Sequence, residues 1–235
     1  MNVLAIDTAT NVMGIALTRE GKLVGELVTN LEKNHSVRLM PGIEYLMKEV
    51  SMEPEDLDKI IVSKGPGSYT GVRIGLSTAK SMAWALNIPV VGVSTLEQMA
   101  YQGRNSKALI APFIDARRGA VFTGLYRFED GKLLSVIEDQ HIKLDEWLHI
   151  LSDKEEDVLF ISPDLQVHRE EIKSILTKSA HFPPAIYQIG KPSDLIYAGM
   201  DKESSDVHQL TPMYLRLTEA EANWIKKNKE RSKDD

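Results

Sequence analysis

The chain has 235 residues, 43% hydrophobic and 26% charged, with a formal net charge of -6 and no cysteine. That length suits one large domain or two small ones with a real core. The missing cysteine excludes disulfides, thiolate nucleophiles, Cys-ligated zinc and iron–sulfur clusters, and the acidic balance argues against a protein that grips nucleic acid alone. No apolar run approaches the about 20 residues of a membrane-spanning helix. The N-terminus lacks a basic leader and cleavage site, so a cytoplasmic protein is expected.

Val3-Leu-Ala-Ile6 is a continuous apolar run that predicts a buried strand. Alternation at Met13, Ile15 and Leu17 predicts a second strand, and residues 23–28 a third, so the chain opens as an antiparallel meander. Leu39, Ile43, Leu46 and Val50 lie on one helical stripe, and Pro41 is expected to start or kink that helix. Residues 59–63 predict a short strand, leading into the turn Gly65-Pro-Gly67. A helix with Val72, Leu76, Ala79, Ala83 and Leu86 inward follows, then a strand over 89–93. Ser94 and Glu97 have the spacing of a capping box.

Residues 102–107 read as a linker. Strands are expected over 108–114, 121–126, 133–137 and 158–161, and helices over 144–151 and 169–178. Each half thus begins with a meander and continues into alternating helix and strand. Two related α/β lobes are predicted, over 1–103 and 108–217, followed by a charged, flexible tail over 218–235.

The chemistry is restricted. No two of the six histidines are three or four residues apart, so one helical turn cannot offer two imidazoles to a metal. Gly65-Pro-Gly-Ser-Tyr-Thr-Gly71 lacks the spacing of a P-loop, a dinucleotide fingerprint or a nucleophile elbow. Two readings of it remain. Gly65, Gly67 and Ser68 hold an anion at a helix start, or the glycines shape a tight turn capped by Ser68 or Thr70. Asp7, Thr8 and Thr10 likewise either grip a nucleotide phosphate and its magnesium or close an Asx-turn. Gly71, Gly75, Thr78 and Met82 form a small-residue face on the second helix, while Met40, Tyr45 and Met47 lie off the main stripe of the first. These residues meet a partner or a second copy, or some of them pack closely on the sheet.

Ile6-Asp-Thr-Ala-Thr10, Gly65-Pro-Gly-Ser-Tyr-Thr-Gly-Val-Arg-Ile-Gly-Leu76 and Pro212-Met-Tyr-Leu-Arg216 together resemble the TsaB (YeaZ) family. The resemblance implies an α/β, actin/Hsp70-like fold of two lobes, each a mixed sheet with flanking helices. It also implies a non-catalytic subunit that works with the transferase TsaD and the ATPase TsaE. That machinery moves threonylcarbamoyl to N6 of the adenosine beside the tRNA anticodon. Thr95 and Met99 stand where the catalytic paralogue has its histidine metal ligands, and neither suits such an ion. The two helices of the first lobe are implied to pair with TsaD, or with a second copy when TsaD is absent. Transfer RNA would then be met only through the complex, and ATP or ADP only at a composite site. The rival expectation is a nucleotide-binding enzyme of the same fold, kinase-like or metallopeptidase-like, using Asp7 and the glycine turn.

Overall fold

The computed structural model describes residues 1–31 and 34–216. The expected tail over 218–235 lies outside the described residues. Strands β1 (Val3–Asp7), β2 (Val12–Arg19) and β3 (Lys22–Asn30) form the antiparallel meander, and β4 (Lys59–Ser63) and β5 (Val90–Val93) add to β1 in parallel, in the order β3-β2-β1-β4-β5. β1 and β4 are apolar on both faces because both faces are covered. The register sets Leu4 against Leu17 and Ile6 against Ile15 across β1–β2, and Ile6 beside Val62 across β1–β4.

On one face lie α1 (His35–Glu49) and α2 (Tyr69–Leu86), whose Leu39, Ile43, Leu46, Val72, Leu76, Ala79 and Ala83 join the buried side chains of β1, β2 and β4. Burying such a leucine or isoleucine removes about 1.5–3 kcal/mol of exposure cost. α1 does not start at Pro41. Its cap is Asn34, whose side chain accepts from the Ser36 N–H at 3.1 Å, and the helix runs through Pro41, which faces solvent. The early cap was hidden because Asn34 precedes no apolar periodicity. α2 is capped by Ser68, one of the two expected caps, and stops at Asn87 in a left-handed conformation (φ 54°).

The second sheet repeats the first. β6 (Leu109–Asp115), β7 (Ala120–Glu129) and β8 (Lys132–Lys143) form a meander, and β9 (Val158–Ile161) and β10 (Ala180–His181) add in parallel, giving β10-β9-β6-β7-β8. α4 (Leu144–Ser152) and α5 (Leu165–Leu176) cover its outer face around Trp147, Phe113 and Phe160. This duplicated order is the two-lobed actin/Hsp70-like arrangement that the sequence implied.

Between the sheets lie two short helices, α3 (Thr95–Ala100) and α6 (Pro192–Gly199). α3 packs Leu96, Met99 and Ala100 on Ile110 and Ile114 of the second sheet. α6 packs Leu195, Ile196 and Ala198 on Val3, Ala5, Ile61 and Val91 of the first. The chain therefore returns to the first lobe after β10. The residues beyond α6 remain tied to it until Arg216 reaches the second lobe: Ser205 bridges Val90, and the Met213 N–H donates to the Lys64 carbonyl at 2.7 Å. The expected capping box at α3 is half formed. Ser94 accepts from the Leu96 and Glu97 N–H groups, but the Glu97 carboxylate pairs with Lys202 at 2.6 Å instead of turning back.

Candidate functional site

The two candidate turns meet at the carboxyl ends of β1 and β4, and each closes the other. Asp7 accepts from the Ala9 N–H at 3.0 Å, which is an Asx-turn, and from Gln98 Nε2 at 2.9 Å. It is buried, and burial raises its carboxyl above the ordinary range despite those bonds and the nearby His35. Thr8 is buried and donates to the Gly71 carbonyl at 2.7 Å. Thr10 accepts from the Val12 N–H, and its own carbonyl meets His35 Nε2 at 2.8 Å. From the other side, the Ser68 N–H donates to the Ala9 carbonyl at 2.7 Å, and Ser68 Oγ accepts from the Gly71 N–H. Several groups that a phosphate would need are thus held by the neighbouring turn.

The glycines have specific work here. Gly65 has φ +96° with the Met213 carbonyl against it, and Gly67 lies on the Ala9 carbonyl with no room for a Cβ. Gly71 and Gly75 face inward on the same contact: a Cβ at Gly71 would strike the Thr8 carbonyl, and one at Gly75 would sit 2.5 Å from Thr8 Oγ1. Both are buried, so these two belong to the packing of α2 on β1 and not to an exposed docking face. Of the other residues expected to meet a partner, Met47 is buried in the core, Thr78 and Met82 are half-buried, and Met40 and Tyr45 are exposed.

The outer face of α1 and α2 carries more than the sequence showed. Val37, Met40 and Tyr45 on α1 are joined by Trp84 on α2, where Tyr45 is 57% and Trp84 69% exposed. Trp84 falls between the core positions Ala83 and Leu86, so periodicity gave it no signal. Thr95 is buried with Oγ1 2.7 Å from Ser63 Oγ, and Met99 is buried among Leu96, Ile110 and Ile114. Both are therefore used in packing, and a hydroxyl with a thioether does not make a site for a hard ion.

Beyond the closed turns a cleft of about 390 Å³ opens between the lobes, lined by Ala9, Thr10, Asn11 and Ser68 on one side and Asp115, Arg117 and Asp164 on the other. Ile114-Asp115-Ala116 repeats Ile6-Asp7-Thr8 at the equivalent strand end. Asp115 also closes an Asx-turn, accepting from the Arg117 N–H at 3.1 Å, and Asp164 Oδ2 accepts from the Asp115 N–H. That echo is legible in the sequence from the duplicated order of elements; Gln98, the partner of Asp7, is not.

Two sheets of one topology, two central helices and facing Asx-turns around a cleft define a protein of the actin/Hsp70-like class. A family model described as "TsaD: tRNA N6-adenosine threonylcarbamoyltransferase" matches residues 23–224. A Bacillus subtilis protein named tRNA threonylcarbamoyladenosine biosynthesis protein TsaB is 48% identical over 229 residues, covering 97% of this chain and all of the relative. The Escherichia coli protein of the same name is 32% identical over 152 residues, covering 63% of this chain and 65% of its own length. A Pseudomonas aeruginosa crystal structure described as similar to peptidase YEAZ superposes with a TM-score of 0.77 at 25% identity, covering 92% of this chain and 99% of that one. The chain belongs to the TsaB family, within the broader TsaD family that the model describes. Among the described residues no helix is long and apolar enough to cross a membrane.

Proposed function

We propose that the chain is a non-catalytic subunit of the machinery that makes threonylcarbamoyladenosine in tRNA, pairing through α1 and α2 with a TsaD-type transferase. The observation that carries this reading is the outer face of those helices. Val37, Met40, Tyr45 and Trp84 leave large apolar side chains in solvent beside a close-packed core, as a partner surface does. In the absence of TsaD the same face pairs two copies. The closed turns around Asp7 and Ser68 fit a subunit that performs no chemistry of its own, and TsaE with ATP or ADP would join at a composite site in the assembly. Transfer RNA is then presented chiefly by TsaD, consistent with the chain's net charge of -6.

The test is reconstitution. TsaD and TsaE with the full chain are expected to modify tRNA, while the chain alone shows no transferase, protease or ATPase activity. Full modification in its absence would refute the subunit role. The interlobe cleft favours one second reading, a nucleotide-binding enzyme. Calorimetry of the isolated chain with ATP and magnesium separates them, because tight stoichiometric binding supports the enzyme.

A further inference from the structure

We propose that the mouth of the interlobe cleft is a contact for single-stranded RNA, with Arg117 and Arg216 meeting phosphates and Tyr69 and Tyr214 meeting bases. This rests on the tRNA role proposed above and gives the chain a direct share in it. The four residues are linked through their neighbours around the cleft. Arg117 and Ser68 line the same cleft from opposite lobes, and Tyr69 follows Ser68. The Tyr69 and Tyr214 rings stack with centroids 5.4 Å apart, both nearly half exposed. Two residues on, Arg216 Nη1 donates to the Ala116 carbonyl at 3.2 Å, which carries the rim back to Arg117.

The rim gathers charge that the whole chain does not show. The Arg117 side chain is 87% exposed, with the Asp115 carboxylate at 3.6 Å. Arg117 (φ 66°), Arg118 (φ 56°) and Gly119 (φ 69°) are left-handed in succession, a backbone that arginine rarely adopts, and the turn thereby points Arg117 outward. Lys143 Nζ donates to the Arg118 carbonyl at 2.6 Å. After burial, Arg216 and Lys143 are the charges that depress the His141 imidazole. On the aromatic side the Arg73 guanidinium lies 3.9 Å from the Tyr69 ring centre, and its Nε donates to the Tyr214 hydroxyl at 2.7 Å.

Arginines for phosphates beside half-exposed rings for bases is the composition that binds single-stranded nucleic acid. An acidic peptide would use the arginines and leave the tyrosine pair idle. Asp145 and Glu146 at the start of α4 adjoin Gly119 and temper the field, so the contact is modest alone and adds to the surface that TsaD supplies.

The experiment has two arms. First, anisotropy of a fluorescein-labelled anticodon stem-loop RNA with the full chain, across a salt series, beside polyglutamate of equal charge. RNA is expected to bind more tightly than polyglutamate, with a log K against log salt slope of about -1 to -2 for two phosphate contacts. Arg117→Glu is expected to weaken it about tenfold. Arg117→Gly suits the left-handed backbone, so its loss of binding cannot be misfolding. Second, in the reconstituted assembly Arg117→Glu is expected to raise KM for tRNA several-fold while kcat and co-elution with TsaD hold. Equal binding of polyglutamate, absent RNA binding, or an unchanged KM in the variant overturns the proposal. If the wild-type chain binds RNA yet does not restore modification, the subunit role falls and the RNA contact stands.

Discussion

At the scale of the residue, the most informative positions are those where small size or neutrality is demanded. A methyl at Gly75 would press on Thr8 Oγ1, and one at Gly71 on the Thr8 carbonyl. Gly71→Ala and Gly75→Ala are therefore expected to lower stability by about 1–3 kcal/mol through overpacking, read from the urea midpoint; unchanged midpoints would show that α2 moves away freely. A charged side chain at Gly75 is unsuitable as a docking probe, since it would disrupt the fold first. Asp7 makes a different case. Its folded pKa lies above the unfolded value of 3.8 because burial disfavours the charge. Between those two values the native state binds more protons than the unfolded one, so stability falls as pH rises through that window and stays lower above it. Asp7→Asn removes this slope. Gln98 Oε1 has no partner among the described residues, so the amide can turn and accept from the new asparagine, giving up only its long 3.3 Å donation to the Lys191 carbonyl. The variant is expected to be at least as stable at neutral pH and to support tRNA modification in reconstitution; loss of activity without loss of stability would give Asp7 a chemical role.

At the scale of the element, α1 and α2 each serve two faces. Their inner stripes were legible because Leu39, Ile43, Val72 and Leu76 recur at helical spacing. Their outer faces were only partly so, since periodicity separates inside from outside but does not say which exposed residues share one surface. Met40 and Tyr45 are exposed as their spacing suggested, Met47 is core, and the exposure of Trp84 had no signal in the spacing. Trp84→Glu and Tyr45→Glu are expected to abolish pairing with TsaD in size-exclusion chromatography while thermal stability shifts little, because both side chains are mostly in solvent. Retained co-elution would move the interface elsewhere. β8 was likewise half visible: its register with β7 shifts around Gly124, where Asp139 Oδ1 lies 2.6 Å from the place of a Cβ. A bulge of this kind breaks the alternation that marks a strand.

At the scale of the whole molecule, the lobes are tied by contacts that no local pattern announces. Ser94, leading into α3, and Tyr126 on β7 both donate to the Asp139 carboxylate on β8. Asp139→Ala would leave two hydroxyls without their acceptor and is expected to cost about 1–3 kcal/mol. Asp139→Asn, which retains one acceptor, should cost less in the same denaturation series. The return of the chain through α6 is a larger tie. A chain ending after Gly190 would bare Val3, Ala5, Ile61 and Val91 and is expected to fail to fold, as judged by circular dichroism. The sequence by itself determined most of the strands and helices, though not β10 or α6, together with the duplication into two lobes and the family, because hydrophobic periodicity, turn residues and the glycine motif are local and carry their own meaning. The tertiary structure alone decided that the glycine turn is shut against Asp7–Thr10, that Gly71 and Gly75 face inward, and that Arg117 of one lobe lines the same cleft as Ser68 of the other. Each depends on distances between residues far apart in the chain, which spacing along the backbone does not encode.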